Sequence, residues 1–159
     1  MKKIFLTFAT AALLSVTAFA ADGGKKAETT ATNVSYTTQQ QFIADFAGAQ
    51  NVVWTATKNC QKADFTVDGA KKTAFYNFSG DFLGTTTVVG YNAIPAKSQK
   101  LIADNYKGYT PGDVIVYQAN ESNKDIDATS YFVDLKSENH EVLVRVTSTG
   151  SVDFFKQVK

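Results

Sequence analysis

The residue types that most often carry out chemistry are scarce in this chain. Cys60 is the only cysteine and His140 the only histidine, and they lie 80 positions apart. Nucleophilic catalysis needs a base within hydrogen-bond reach of the nucleophile, and the sequence offers no such set. His140 lies in a short polar segment that is typical of a turn, between two segments in which apolar and polar residues alternate. It is therefore predicted to lie in a turn and to be exposed to solvent. The sequence therefore predicts a protein that is not an enzyme.

No metal or cofactor site is predicted either. Asp125 and Asp127 have the spacing of the first two ligands of a calcium loop, but Ser130 occupies the position where that loop needs glycine. There is no glycine-rich phosphate loop. With one cysteine an intramolecular disulfide is impossible, so Cys60 is interpreted as an inert strand or turn thiol. The alternative is an intermolecular disulfide or a reactive thiol.

The first twenty residues are typical of a signal peptide. Lys2 and Lys3 precede an apolar run over 4–16, and Ala18-Phe19-Ala20 supplies the small-x-small pattern of a cleavage site. Residue 21 is alanine rather than cysteine, so a lipid anchor is not expected. No later segment is apolar for long enough to span a membrane. The sequence predicts a periplasmic or secreted protein that is not inserted in the membrane.

Cleavage after residue 20 would leave 139 residues, enough for one or two small hydrophobic cores. The loss of two lysines leaves 14 basic residues against 15 acidic ones, a net charge of about −1. Such a balance favours neither nucleic acid nor an anionic membrane as a partner.

Two tandem units are predicted after a disordered leader over 21–35. The first unit, about 36–91, begins with a helix capped by Thr37 or Thr38, with Phe42, Ile43 and Phe46 as its apolar stripe. Its four strand signals cover about 51–57, 61–67, 71–76 and 82–89.

The second unit, about 92–159, repeats this order. Ile94-Pro95 opens a helix that Gly108 ends, and strand signals follow at about 114–118, 129–136, 141–146 and 152–157. The predicted fold class is α+β, with two helix-plus-four-stranded antiparallel meanders forming one curved sheet that carries both helices on one face.

Matching hairpins fix the predicted register. Asn77 suits the start of a type I turn and Gly80 the left-handed position after it, which places Tyr76 opposite Phe82 and Phe75 opposite Leu83. The second copy places Val146 opposite Val152 and Arg145 opposite Asp153, with Gly150 in the place of Gly80.

Alternation along the strands divides the side chains between a helix-facing side and an open side. The candidate binding residues are predicted on the open side, with one at a hairpin tip: Phe75, Leu83, Phe132, Leu143, Arg145 and Phe155, and Phe78 at the tip. Trp54 could lie in the core or make a contact at the rim of the binding surface. Alternation does not decide between these positions, because both odd and even positions of its strand are apolar.

Several short motifs resemble one family. They are Phe46-Ala-Gly-Ala-Gln-Asn-Val-Val-Trp54, Asp68-Gly69, Tyr76-Asn-Phe-Ser-Gly-Asp-Phe-Leu83, Ile94-Pro-Ala-Lys and Tyr106-Lys-Gly-Tyr109. Together they resemble the small secreted PepSY-like domains that are grouped with β-lactamase-inhibitor-like proteins. The resemblance implies a curved sheet with helices on one side. It also implies a free concave side, where the inhibitory proteins of this fold use aromatic residues and protruding hairpins to grip an enzyme. This chain lacks the cysteine pair that those inhibitors carry in each unit.

The residues and the resemblance together predict an exported, non-catalytic binding module. It would engage an envelope or secreted protein through the open face and the hairpin tips, since exposed aromatic clusters often mark binding surfaces. The alternative is an envelope structural or dimerisation module that uses the same face to self-associate. A third possibility is that the N-terminal segment, a dimer mate or the curvature of the sheet covers this face.

Overall fold

The computed structural model describes residues 34–121 and 127–159. Within these residues two α-helices and eight β-strands alternate in the order helix, four strands, helix, four strands. The signal peptide predicted over 1–20, most of the predicted leader and Asp125 lie outside the described residues.

The elements have the following bounds. The first unit contains α1 (Tyr36–Asp45), β1 (Gln50–Ala56), β2 (Gln61–Val67), β3 (Ala70–Tyr76) and β4 (Phe82–Val89). A 3-10 turn, Tyr91–Ala93, leads into the second unit, which contains α2 (Ala96–Asn105), β5 (Thr110–Ala119), β6 (Thr129–Lys136), β7 (Glu141–Thr147) and β8 (Val152–Gln157).

The eight strands form one sheet in chain order, and every neighbouring pair is antiparallel. The two units join where β4 pairs with β5, for example at Thr86 opposite Tyr117. The predicted fold class is therefore confirmed: the chain is an α+β protein whose two helix-plus-four-strand units share a single sheet.

Both helices pack on the same face of this sheet. Phe65 of β2 and Tyr131 of β6 lie in one continuous row of paired residues across the strands, so their side chains point to the same side. Phe65 contacts Phe42 of α1 with ring centroids 5.0 Å apart, and Tyr131 packs against the cluster that contains Ile102 of α2. The opposite side, which carries neither helix, is called the open face below.

The start of the first helix differs from the prediction. Ser35, not Thr37 or Thr38, caps α1, because its hydroxyl accepts a hydrogen bond from the Thr38 backbone N–H at 3.1 Å. Thr38 is fully buried and accepts a hydrogen bond from the Gln61 side chain at 2.9 Å. Val34, which precedes this cap, is also buried.

The apolar stripe of α1 is narrower than predicted. Phe42 is buried, but Ile43 is 60% exposed and does not contribute to the core, because α1 lies with a single row of side chains against the sheet. Phe154, on edge strand β8, is also largely exposed. Trp54, which the sequence left open, packs on the helix side with its ring edge-on to Phe42.

The predicted pairing is correct at both hairpin turns, and it is wrong one residue away from the turn in the first unit only. Tyr76 pairs with Phe82, and Gly80 has a φ of 95°. A β-bulge then shifts the strands, so Phe75 pairs with Gly84 instead of Leu83. In the second unit Val146 pairs with Val152 and Arg145 with Asp153, as predicted.

Candidate functional site

An aromatic cluster occupies the open face. It is called the open-face cluster here and consists of the buried residues Cys60, Phe75, Tyr117 and Phe132, with the partly buried Leu83, Ala119 and Phe155 packed against them. Both units contribute to it. Because the helices pack on the opposite side, the cluster is an apolar layer with no secondary-structure element of the described residues over it.

Gly84 makes this cluster possible. Its φ is 151°, and a Cβ added there would lie 2.4 Å from the Gln118 carbonyl oxygen and 2.8 Å from the Tyr117 hydroxyl. Only glycine allows so close an approach. The Tyr117 ring therefore lies over the backbone of β4, where its hydroxyl donates a hydrogen bond to the Leu83 carbonyl at 2.9 Å. Burial raises the pKa of Tyr117 above its ordinary value.

A buried ion pair adjoins the cluster in the first unit. Lys62, which pairs with Phe75 across the strands, places its ammonium 3.3 Å from Asp64 Oδ2. The other oxygen, Asp64 Oδ1, accepts a hydrogen bond from the Thr73 hydroxyl at 2.6 Å. Each oxygen of this carboxylate therefore has a partner, as a buried charge requires.

The second unit also places a carboxylate on the open face. Asp134 Oδ2 lies 2.8 Å from the Lys136 ammonium, and this contact is the main cause of a raised Lys136 pKa. Asp134 Oδ1 is buried and has no hydrogen-bond partner. It is the one buried side-chain oxygen or nitrogen of the described residues without a partner, which makes it an exception that needs an explanation.

A shallow cleft of about 310 Å³ lies beside the cluster on the same face. Thr73 and Thr86 line it together with the apolar side chains of Val88 and Ile115, and Lys71 stands among its lining residues. Val88 is 52% exposed, so this end of the open face presents apolar surface to solvent.

The structure brings together four of the predicted binding residues. Phe75, Leu83, Phe132 and Phe155 all belong to the open-face cluster, and the Phe132 and Phe155 rings meet edge to face at 4.9 Å. Phe75 and Phe132 are only 5% and 8% exposed, however, because the cluster residues cover one another.

The other three predicted residues are more accessible. Leu143 is half-buried on β7, and Arg145, exposed on the same strand, lies 3.6 Å from Asp153 on β8. Phe78 is 58% exposed at its hairpin tip and is not a member of the open-face cluster. The tip turns towards the helix side, because Gly80 lies against Thr37 and Thr38 of α1. The prediction therefore combined residues from two separate surfaces.

Sequence reasoning missed the central residue of the cluster. Tyr117 lies two positions after Ile115 on β5, so their side chains point to the same side of the sheet. Alternation along β5 could therefore have placed Tyr117 on the open face. Its position over Gly84 had no such signal, because the contact depends on the bulge in β4.

Cys60 and His140 do not form a reactive pair. Cys60 is a buried free thiol 3.5 Å from the Thr57 hydroxyl, whereas His140 is exposed in the turn between β6 and β7. Across residues 34–121 and 127–159, no three His, Cys, Asp or Glu side chains are grouped so that they could hold a metal ion. None of the helices in the described part of the chain is long and apolar enough to cross a membrane.

Several solved structures share this fold. A BLIP-like protein from Bacteroides fragilis superposes with a TM-score of 0.63 at 20% identity, over 78% of this chain and 86% of that one. A DUF2874 family protein from Bacteroides uniformis gives a TM-score of 0.68 at 16% identity, over 78% and 89% of the two chains. A Bacteroides eggerthii protein that carries the provisional name of a periplasmic protein gives 0.65 at 15% identity, over 78% and 87%.

No family model matches the chain, and no curated protein matches it significantly. The similarity to the solved structures establishes the fold, and it agrees with the fold that the sequence motifs implied.

Proposed function

We propose that this protein is an exported, non-catalytic binding module that engages a protein partner through its open face. The observation that carries the proposal is the open-face cluster itself. Apolar side chains from both units are gathered on the one side of the sheet that has no helix packed against it. Exposed apolar surface next to such a cluster is characteristic of interaction sites.

The names of the structural neighbours also support an exported binding protein. One is a BLIP-like protein and another is named as periplasmic, which is consistent with an exported protein that binds rather than catalyses. The signal-peptide pattern of the first twenty residues supports export independently.

The accessible residues around the cluster are the expected contacts. Val88, Leu143 and Arg145 expose surface on the open face, whereas Phe75 and Phe132 serve mainly to build the platform beneath a partner. Phe78, at the tip of the first hairpin, would make a second, separate contact.

Affinity capture from the envelope of the exporting cell tests the proposal. We expect the double variant Val88→Asp with Arg145→Glu to lose a protein that the unchanged chain captures. Ile43→Asp is the matched control, because Ile43 is 60% exposed, against 52% for Val88, but lies on the helix side. Retention of the same protein by the open-face variant, or its loss in the control, would contradict the proposal. Phe78→Ser tests the hairpin tip separately.

The alternative, a self-associating structural module, is tested by light scattering. Both edge strands of the sheet carry a bulge, between Gln50 and Val53 in β1 and between Leu143 and Val144 at the β7–β8 pairing. Bulges hinder the pairing of edge strands between molecules. Association through the sheet edges is therefore not expected. The proposed function predicts a monomer at high protein concentration, whereas a dimer that the open-face variant dissociates would favour the alternative.

A further inference from the structure

The first strands of the two units are equivalent but have different neighbours. β1 and β5 each follow a helix, and each pairs along one edge with the next strand of its own unit. The other edge of β5 pairs with β4. Among the described residues, no strand pairs with the other edge of β1, which ends the sheet. The edge that β4 covers in the second unit is thus uncovered in the described part of the first.

Two residues of β1 direct their backbone groups towards this outer edge. Thr57 donates its backbone N–H to the Cys60 carbonyl at 2.9 Å, so this N–H points towards the neighbouring strand β2. Because the direction alternates along an antiparallel strand, the N–H and C=O groups of Trp54 and Ala56 point away from β2. A row of such groups is a template for a further strand.

In the second unit the equivalent groups bond to β4. Asn120 donates its backbone N–H to the Leu83 carbonyl at 3.0 Å, and by alternation Val114 and Val116 also direct their backbone groups to β4. These two valines lie sixty positions after the two outward-facing residues of β1. The second unit therefore shows that an edge of this kind is covered by the chain that precedes the helix.

The chain enters both helices in the same way. Val34 and Ile94, again sixty positions apart, are both buried. The Gln39 side chain donates a hydrogen bond to the Val34 carbonyl at 3.2 Å, and the Gln99 side chain donates to the Ile94 carbonyl at 3.1 Å. The chain reaches Ile94 from β4 through the 3-10 turn. The same path, followed backwards from Val34, leads to the outer edge of β1.

The sequence before Val34 suits a polar edge strand. Cleavage after residue 20 leaves thirteen residues, 21–33, in front of it. Three threonines in the stretch 29–32 favour extended backbone. Lys26 and Glu28 supply the charges with which natural edge strands prevent further pairing. The segment lacks an apolar period, so backbone hydrogen bonds and not a hydrophobic face would hold it.

We propose that residues 26–29, called the strap here, add to the outer edge of β1 as an antiparallel strand, in the place that β4 takes beside β5. The equivalence of the units sets Thr29 opposite Trp54 and Ala27 opposite Ala56. A strap held by backbone hydrogen bonds can open, and it covers the edge of β1 against other chains while it is closed. The inference concerns the edge of the sheet and does not depend on the function proposed for the open face.

Hydrogen exchange of the mature chain, followed by NMR, tests the strap. Thr29→Pro removes an N–H that would bond to the Trp54 carbonyl. We expect the amides of Trp54 and Ala56 to exchange about tenfold faster in this variant, the effect of losing one or two hydrogen bonds. The amide of Thr55, which points towards β2, should exchange at an unchanged rate and so show that the fold is intact.

Glu28→Pro is the matched control. The N–H of residue 28 would point away from β1, and proline is tolerated at such positions of an edge strand. This variant should leave the exchange of the Trp54 and Ala56 amides as it is in the unchanged chain.

Three results would overturn the inference. The first is exchange of the Trp54 and Ala56 amides in the unchanged chain that is already as fast as in Thr29→Pro. The second is equal acceleration by both proline substitutions. The third is protection that rises with protein concentration and survives Thr29→Pro, which would assign the edge to a second copy of the chain. The capture experiment with Val88→Asp and Arg145→Glu concerns the other surface, so none of these results bears on the proposed function.

Discussion

At the scale of single residues, the open face depends on two glycines, which leave space for neighbouring groups because they have no side chain. Gly84 lets the Tyr117 ring approach the backbone of β4, and Gly112 leaves a space beside Asp134. In both places the missing Cβ determines which group can occupy the surface. The Tyr117 ring of the open-face cluster is held in the position that Gly84 permits.

Substitution of Gly84 tests the first of these roles. We expect Gly84→Ala to lower the free energy of unfolding by at least about 2 kcal/mol, since it adds a steric clash to an unfavourable φ. Chemical denaturation followed by circular dichroism measures the change. Gly90→Ala is the control, because Gly90 has an ordinary φ of −74° and its added Cβ would meet only the Asn92 side chain. Equal effects of the two substitutions would argue against the packing described for Tyr117.

At the scale of secondary-structure elements, specific side chains join each helix to the sheet. The Tyr76 hydroxyl on β3 donates a hydrogen bond to Asp45 at the end of α1, with a distance of 3.0 Å. In the second unit the Ser98 hydroxyl on α2 donates to the Gly150 carbonyl in the last hairpin at 3.1 Å. These contacts fix how each helix lies across its four strands.

The contact between β3 and α1 predicts a loss of stability at alkaline pH. Burial, followed by the nearby Asp45 charge, raises the pKa of Tyr76 above its ordinary value of 10.0. The unfolded chain releases this proton near pH 10 while the folded chain retains it, so stability is complete below pH 10 and falls as the pH rises above it. Denaturation at pH 8 to 11 should show this fall.

Tyr76→Phe identifies the group responsible. The variant should be less stable at neutral pH by about 1 kcal/mol, through loss of the hydrogen bond, and its stability should fall less steeply above pH 10. Tyr36→Phe, at a largely exposed position, is the control and should leave the profile unchanged. An identical alkaline slope in Tyr76→Phe and the unchanged protein would exclude Tyr76 as the cause.

At the scale of the whole molecule, the two units form one structure. The β4–β5 pairing continues the sheet from one unit into the next, and the open-face cluster takes Phe75 from the first unit and Tyr117 and Phe132 from the second. On the helix side, Val89 of β4 packs against the core of the second unit. Neither unit can complete its apolar contacts alone.

We therefore expect a single cooperative unfolding transition. Calorimetric and van't Hoff enthalpies should agree, and circular dichroism and Trp54 fluorescence should report the same midpoint, although Trp54 lies only in the first unit. A fragment that ends at residue 91 should remain unfolded under native conditions, because it exposes the edge of β4 and half of the cluster. Two separated transitions, or a folded fragment, would show that the units are independent.

Much of this architecture could be predicted from local patterns. Alternation of apolar residues located all eight strands, and the glycines of the hairpins located the turns, because both signals depend on neighbours within a few positions. The repeated order of helix and four strands followed from comparison of the two halves. The predicted pairings of Tyr76 with Phe82 and of Arg145 with Asp153 are correct for the same reason.

Only the tertiary structure decided which open-face residues are accessible. The sequence placed Phe75 and Phe132 on the correct side, but burial depends on side chains from distant strands that pack over them. The pairing of Phe75 with Gly84 and the unpartnered oxygen of Asp134 arise from bulges and from contacts across strands, which no local pattern encodes. The sequence by itself thus determined the elements and their order, whereas packing between the strands determined the surface that a partner can meet.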